Sequence, residues 1–216
     1  MKLLILAANG QIARIVTDRI LTKPTFKDVD LTLGLRHSQR LSALQDNARV
    51  RVIETDLEDA DSVATATAGQ DMVFVAVVDH DADNAMTKNV IAGMKLHHVD
   101  RVIFTNILGL YNEVPGEFGA WNRQMVSAGL DAAINSDKLL ATSGLTYTTL
   151  RLPWLNDRNE VTYTITKQSE PYVGVSGSRQ SVVDVVLRIV ADPNFGANES
   201  LGMANPATQG ESRPVY

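Results

Sequence analysis

A chain of 216 residues with 44% hydrophobic and 21% charged side chains is long enough to bury a sizeable core, and its composition excludes a disordered or fibrous protein. Its 25 acidic and 20 basic residues leave a net charge of -5, which argues against nonspecific binding to nucleic acid or to an anionic membrane surface. The absence of cysteine excludes disulfides, thiolate nucleophiles, iron–sulfur clusters and cysteine-ligated metals.

No segment approaches the roughly 20 consecutive apolar residues of a spanning helix. The opening run Leu3–Ala8 is too short for a secretory signal, and Asn9, Gly10 and Arg14 follow directly. The expected location is the cytoplasm.

In chain order, short apolar runs predict strands at Lys2–Ala7, Asp30–Leu35, Val50–Glu54, Met72–Val78, Arg101–Asn106 and Thr146–Leu152. They are rich in Val, Ile, Leu and Thr and mostly lack strict alternation, the pattern of a parallel sheet covered on both faces. Helical spacing lies between them. Gln11–Leu21 carries Ile12, Ile15, Val16 and Ile20 on one face; Asp59–Ala68 is Ala-rich; Asn84–His97 places Met86, Val90, Ile91 and Met94; Met125–Thr142 stops at Ser143-Gly144. This alternation predicts an α/β chain with a doubly wound parallel sheet in three αβα layers.

After Leu152 the rhythm changes. PWLNDRNE reads as a loop, VTYTITKQ as a strand, and VSGSRQSVVDVVLRIV as a loop entering a helix capped near Ser178 or Ser181. One more short strand follows. The expectation is a single domain over residues 1–205, with 153–205 as a small C-terminal cap on the substrate side and 206–216 as a loose tail.

The first turn reads Ala7-Ala8-Asn9-Gly10-Gln11-Ile12-Ala13. In a glycine-rich phosphate-binding turn the glycines allow a tight bend, close approach to a diphosphate and close helix–strand packing. Here Gly10 keeps the central position, with the N–H groups of Gln11 and Ile12 opening the helix toward an anion. Ala13 fits the packing position. Ala7 stands in place of the first glycine, which requires an ordinary φ there, and Asn9 is suited to capping the helix. A plain strand-to-helix turn with a good cap explains the same residues.

The second strand ends in LGLRHSQR, with no acid at its end. Arg36, followed by His37, Ser38 and Arg40, suits a ribose 2′-phosphate, whereas NAD-preferring sites place an acid near this point. A solvated arginine is the plainer alternative. The third strand ends in IETDLED, where Asp56 and Leu57 suit an adenine edge and face; Asp56 or Asp59 also suits a helix N-cap.

The ordered series ILAANGQIA, LGLR, TDLED, DMVFVAVV, VDRVIFTNILGLY, GLTYTTLRLPWL and SGSRQSVVDVV resembles the NmrA-like group of atypical short-chain dehydrogenases over roughly residues 1–191. That resemblance implies a Rossmann sheet, NADP(H) more often than NAD(H), and a substrate cleft beneath the cap. It also implies that Ala76 and Val77 pass beneath the adenosine ribose and that Pro153, Trp154 and Leu155 border the nicotinamide. Thr105 and Asn106 fall on the same side.

Enzymes of this kind use a serine or threonine with a tyrosine and lysine in YxxxK spacing, which puts tyrosine and lysine on one helix face. Aligned on SGLTYT, the lysine is Lys138, suited to a hydrogen bond with the ribose or simply to solvent. The tyrosine position falls on Ile134 and the serine position on Ile107. Isoleucine donates no proton, so carbonyl reduction or epimerisation by the standard route is not expected.

Asp79, His80, Asp81 and Asp83 gather after the fourth strand, but acids at a helix start explain them better than a metal, and no metal is expected. Tyr111, Trp121, Tyr147 and Trp154 are candidates to line a cleft, with LGLYNEVPGEFGAWNR as a lid and Tyr111 as a substitute acid, although a core or surface aromatic is the plainer role for any one of them. The expectation is an NADPH-dependent reductase of an easily reduced acceptor, a flavin or quinone. The alternatives are a non-catalytic redox sensor that binds NAD(P) and a protein partner, and an epimerase- or dehydratase-like enzyme of nucleotide sugars.

Overall fold

Leu3 and Ile5 face one side of the first strand and Leu4 and Leu6 the other, and all four are fully buried. A strand that is apolar on both faces has to be covered on both faces, and this dictates the layers. The computed structural model describes residues 1–216 throughout. In chain order it contains β1 (Lys2–Leu6), α1 (Gln11–Thr22), β2 (Asp30–Leu35), β3 (Val50–Glu54), α2 (Ala60–Thr67), β4 (Met72–Val75), α3 (Ala85–Leu96) and β5 (Arg101–Ile107). Then follow α4 (Gly116–Thr142), β6 (Thr146–Leu152), β7 (Trp154–Asn156), β8 (Thr164–Thr166), β9 (Ser176–Ser178), α5 (Arg179–Ala191) and β10 (Glu199–Ala204).

The main sheet has eight strands in the order β3-β2-β1-β4-β5-β6-β10-β8, parallel except for the β10–β8 edge pair. This is the doubly wound, Rossmann-like α/β fold that the alternation predicts. One face packs on α1 and α5, through Ala13, Val16 and Ile20 on the first and Val182, Val186 and Ile189 on the second. The other face receives Val63 and Ala66 of α2, Val90 and Met94 of α3, and Leu140 of α4. The sheet changes direction of growth between β1 and β4, and at such a switch the loops at the strand ends part to leave a crevice. No helix is long and apolar enough to cross a membrane.

Three local readings need correction. Helix α4 begins at Gly116, well before Met125, so Trp121 stands on its opening turns and not in a lid loop. The glycines of PGEFGAWNR weaken helical propensity there, but Phe118 and Trp121 pack together and against Trp154, and this tertiary contact overrides it. The residues after Asn205 are not a loose tail. Thr208 is buried, its Oγ1 accepts the N–H of Val175 at 2.8 Å, and Val215 donates its N–H to Ser176 Oγ at 2.8 Å. In the cap, only Thr164–Thr166 of VTYTITKQ is strand, and β7 and β9 form a separate parallel pair.

Candidate functional site

Two clefts open along the carboxyl edge of the sheet and lie side by side after β4, where Val77 lines one and the next residue, Val78, lines the other. The first, of about 430 Å³, lies beyond the ends of β1 to β4. Its floor is the turn from β1 into α1. Gly10 is the N-cap of α1 at φ -64°, with no side chain capping the helix and no acid in its first turn. The bare N–H groups of that turn, at the positive end of the helix dipole, form a ready anion site. A β-carbon on Gly10 would meet only ordinary contacts, 3.4 Å from the Ala7 carbonyl oxygen and 3.6 Å from that of Ala76. Neither backbone conformation nor protein packing therefore demands glycine here, and what its missing side chain keeps open is the cleft floor.

Arg36 and Arg40 stand exposed at the mouth with His37, and none of the ion pairs in the protein involves them. Asp56 also lines the cleft; its Oδ1 accepts the Glu58 N–H at 3.1 Å. The capping role at α2 belongs to Asp59, whose Oδ1 accepts from Asp61 at 2.9 Å and Ser62 at 3.1 Å.

The second cleft, of about 620 Å³, lies between the ends of β5 and β6, the first half of α4 and the cap. Its walls are mainly apolar: Ile107, Leu108, Val126, Leu152, Trp154 and Leu155, with Pro153 among them. Asn122 braces this wall, accepting the Trp154 indole N–H at 2.9 Å and donating to the Leu108 carbonyl at 3.2 Å. Only two ionisable side chains line it, His80 and Arg179, and Arg179 is paired with Asp157 at 2.8 Å. The residues present fit a dinucleotide laid from the first cleft toward the second: an uncapped helix start for the diphosphate, arginines at one end, and an apolar chamber at the other.

A family model described as NAD(P)H-binding matches residues 7–193. The chain belongs to that NAD(P)H-binding family. No curated protein matches it. A wide-type short-chain dehydrogenase/reductase from Veillonella parvula DSM 2008, solved in complex with NADP, is 25% identical, covers 100% of this chain and 99% of its own, and superposes with a TM-score of 0.90. A Rossmann-fold NAD(P)-binding family protein from Shigella flexneri is 29% identical over 100% of this chain and 98% of its own, with a TM-score of 0.77. An anaerobillin reductase from Escherichia coli O157:H7, 17% identical over 100% of both chains with a TM-score of 0.78, shares the fold.

Membership in the NAD(P)H-binding family agrees with the atypical short-chain dehydrogenase resemblance, and the structure distributes the expected residues unevenly. Ala7, Asn9, Gly10, Arg36, Asp56, Leu57, Ala76 and Val77 line the first cleft. Gln11 and Ile12 form the first turn of α1 beside it. Asn106, Ile107, Pro153, Trp154 and Leu155 line the second. Thr105 lines neither; it is buried and donates its hydroxyl to the Val75 carbonyl at 3.1 Å. The Asn106 amide is likewise engaged, donating to the Ala133 carbonyl at 3.0 Å and accepting the Ile107 N–H at 2.8 Å.

Several expectations fail on geometry. Ala7 does not have an ordinary φ; at +56° it adopts the left-handed conformation that glycine would favour. Asn9 does not cap α1. Lys138 is exposed and lies outside both clefts, on the order of 13 Å along the helix axis beyond Gly129, the last α4 residue to line the second. Ile134 is also outside, packed with Leu110, Leu130 and Ala133. The alignment that sets Lys138 and Ile134 in a YxxxK frame therefore identifies no cleft residue on α4.

Tyr111 is no substitute acid for the clefts. Its hydroxyl donates to Asp137, its ring lies 5.3 Å from the Arg151 guanidinium, and burial followed by the Asp137 contact holds its pKa far above the ordinary phenol value. Tyr147 packs into the core between the sheet and α2 to α4. Sequence reasoning missed His80 as a cleft residue, because a histidine among aspartates at a helix start carries no periodic signal. The one available hint was Gly129, a glycine with no turn to serve in the middle of a long helix.

Proposed function

We propose that this NAD(P)H-binding protein is a reductase that takes the 2′-phosphorylated cofactor and reduces an easily reduced acceptor, a quinone or a flavin. The observation that carries the reading is the adjacency of two unlike clefts: an uncapped helix start beside unneutralised arginines, and an apolar chamber with an aromatic wall and no serine or tyrosine lining it. The NADP complex of the Veillonella protein supports the choice of cofactor.

In this reading the N–H groups of Gln11 and Ile12 hold the diphosphate, Arg36 and Arg40 the 2′-phosphate, and Asp56 and Leu57 the adenine, while Ala76 and Val77 run beneath the ribose. A nicotinamide held there would supply a hydride. Pro153, Trp154 and Leu155 orient the acceptor ring and exclude water, and positioning of this kind can supply much of the rate when the acceptor is intrinsically reducible. The lack of a serine–tyrosine pair in the second cleft favours one other reading, a sensor that binds NAD(P), turns over nothing and engages a protein partner.

Both are tested together by thermal shift with NADPH, NADP, NADH and NAD, followed by NADPH oxidation with a panel of quinones and flavins. A specific ligand at a hundredfold excess over its Kd stabilises by about 2.7 kcal/mol. A larger shift with the phosphorylated pair and oxidation with at least one acceptor are expected. Tight NADPH binding with no oxidation by any acceptor overturns the reductase in favour of the sensor; no shift with any dinucleotide overturns both.

A further inference from the structure

His80 lines the second cleft with neither ring nitrogen hydrogen-bonded to the protein. The segment that carries it is fixed on both sides. Just before it, buried Asp79 accepts the N–H of Thr87 at 2.9 Å and its hydroxyl at 2.6 Å, and Thr87 Oγ1 lies 2.8 Å from Ser136 Oγ on α4. Just after it, Asn84 donates its amide to the Ala132 carbonyl at 3.0 Å and accepts from Asn135 at 2.7 Å. The loop is thus tied to α4 on either side of the histidine.

Against His80, α4 presents Gly129. A β-carbon at Gly129 would stand 2.5 Å from His80 Nδ1, closer than real contacts allow, and a tight 3.3 Å from Cγ. Glycine weakens a helix interior relative to alanine, and here its missing side chain is what seats the imidazole. Nδ1 abuts the helix at this glycine, and Nε2 is the ring nitrogen farther from it. The other ionisable group of the cleft, Arg179, is held by Asp157, and a guanidinium has no role as a proton donor, whereas imidazole is the commonest general acid among side chains. Of the neighbouring acids, Asp79 is committed to Thr87, and Asp81 and Asp83 are exposed and line neither cleft.

We propose that His80, seated by Gly129, is the proton donor to an acceptor oxygen or nitrogen in the second cleft. The proposal rests on the reductase reading and supplies the acid that isoleucine at position 107 cannot. For a quinone the balance is complete. The ring gains two electrons as a hydride from the reduced cofactor and one proton from His80 Nε2, giving the hydroquinone; the neutral imidazole, exposed at the cleft, regains its proton from water.

The test has a part without cofactor and a part with it. The chain has four histidines, so the imidazole Cε1–H signals resolve by NMR, and the one absent in His80→Ala is assigned. Addition of 1-naphthol, a non-reducible analogue bearing one ring oxygen, to cofactor-free protein is expected to move that signal and to bind several-fold more weakly to His80→Ala. With NADPH and menadione, His80→Ala is expected to lose about a hundredfold in kcat with an unchanged NADPH thermal shift, and free imidazole to restore part of the loss. Gly129→Ala, which strengthens the helix, is expected to lower kcat while leaving NADPH affinity unchanged. A stationary His80 signal, wild-type turnover in His80→Ala, or a loss that imidazole does not restore overturns the proposal alone. A wild type whose His80 signal moves but which oxidises no NADPH with any quinone or flavin overturns the reductase reading, and the donor role with it.

Discussion

The carbonyl of Ala7 accepts the N–H of Gly10 at 3.0 Å, closing a turn in which the alanine has φ +56° and the glycine -64°. The residue without a side chain is not the one whose backbone needs that freedom. Left-handed backbone costs a residue with a β-carbon roughly 1–2 kcal/mol. Ala7→Gly removes that strain, offset in part by the greater freedom glycine gives the unfolded chain. A net gain of about 1 kcal/mol is expected, raising the melting temperature by about 2–4 °C in a chain of this size. Calorimetry of the two proteins decides it, and a lower midpoint in the variant would show that Ala7 sits there without strain.

Gly10→Ala is the complementary substitution. Its φ suits alanine and its β-carbon meets nothing closer than 3.4 Å, so unfolding is expected to shift by no more than about 0.5 kcal/mol. The added methyl instead occupies the floor over which a diphosphate would lie. A rise of about tenfold or more in the Kd for NADPH, near 1.4 kcal/mol, is expected by calorimetric titration. Unchanged affinity in a stable variant removes the diphosphate from this turn.

The contrast between these two residues shows what a sequence reveals. The strands were readable because Leu3 to Leu6 and Met72 to Val75 are apolar on both faces, a pattern that only a sheet covered on both sides explains. Arg36 was readable as a cleft residue because it follows the buried end of a strand. Which of Ala7 and Gly10 carries the positive φ was not, since composition does not fix backbone torsion. The residues at the second cleft were harder still. The positions of Lys138 and Ile134 follow from counting back from a motif, and counting along a helix says nothing about where that helix leaves the cleft. His80 and Gly129 lie far apart in sequence, and only the fold brings them into contact.

Arg36 and Arg40 give the choice of cofactor a direct test. Both are exposed, so their effect on a 2′-phosphate is screened by salt. A hydrogen bond to a charged group contributes about 1.5–3 kcal/mol. Arg36→Ala is therefore expected to weaken NADPH by about tenfold and NADH hardly at all, and the gap between the two cofactors is expected to narrow as ionic strength rises. Equal losses for both cofactors would place Arg36 on a group that the two share.

Glu113 and Arg151 meet at 2.7 Å with side chains 3% and 0% exposed. Arg151 also donates to the carbonyls of Thr166 at 3.0 Å and Ser200 at 3.1 Å, while Glu113 accepts the N–H groups of Gly109 and Tyr111, both at 3.0 Å. The pair therefore ties the loop after β5 to the sheet beneath the second cleft. Removing one partner of a buried pair strands the other charge, and Glu113→Ala is expected to cost about 3–5 kcal/mol. Burial alone would raise the Glu113 pKa, but hydrogen bonds from Arg151 and the Gly109 N–H outweigh it and hold the carboxyl below its ordinary value. A folded pKa below the unfolded one means that the pair's contribution is complete above the unfolded value of about 4.3 and fades as pH falls through the folded value. Urea unfolding measured between neutral pH and pH ~3 is expected to show a steeper acid loss in the wild type than in Glu113→Gln, which has no carboxyl to protonate. Parallel curves would assign the acid sensitivity to other carboxylates, and a Glu113→Ala variant as stable as the wild type would show that Arg151 finds water or another acceptor once its partner is gone.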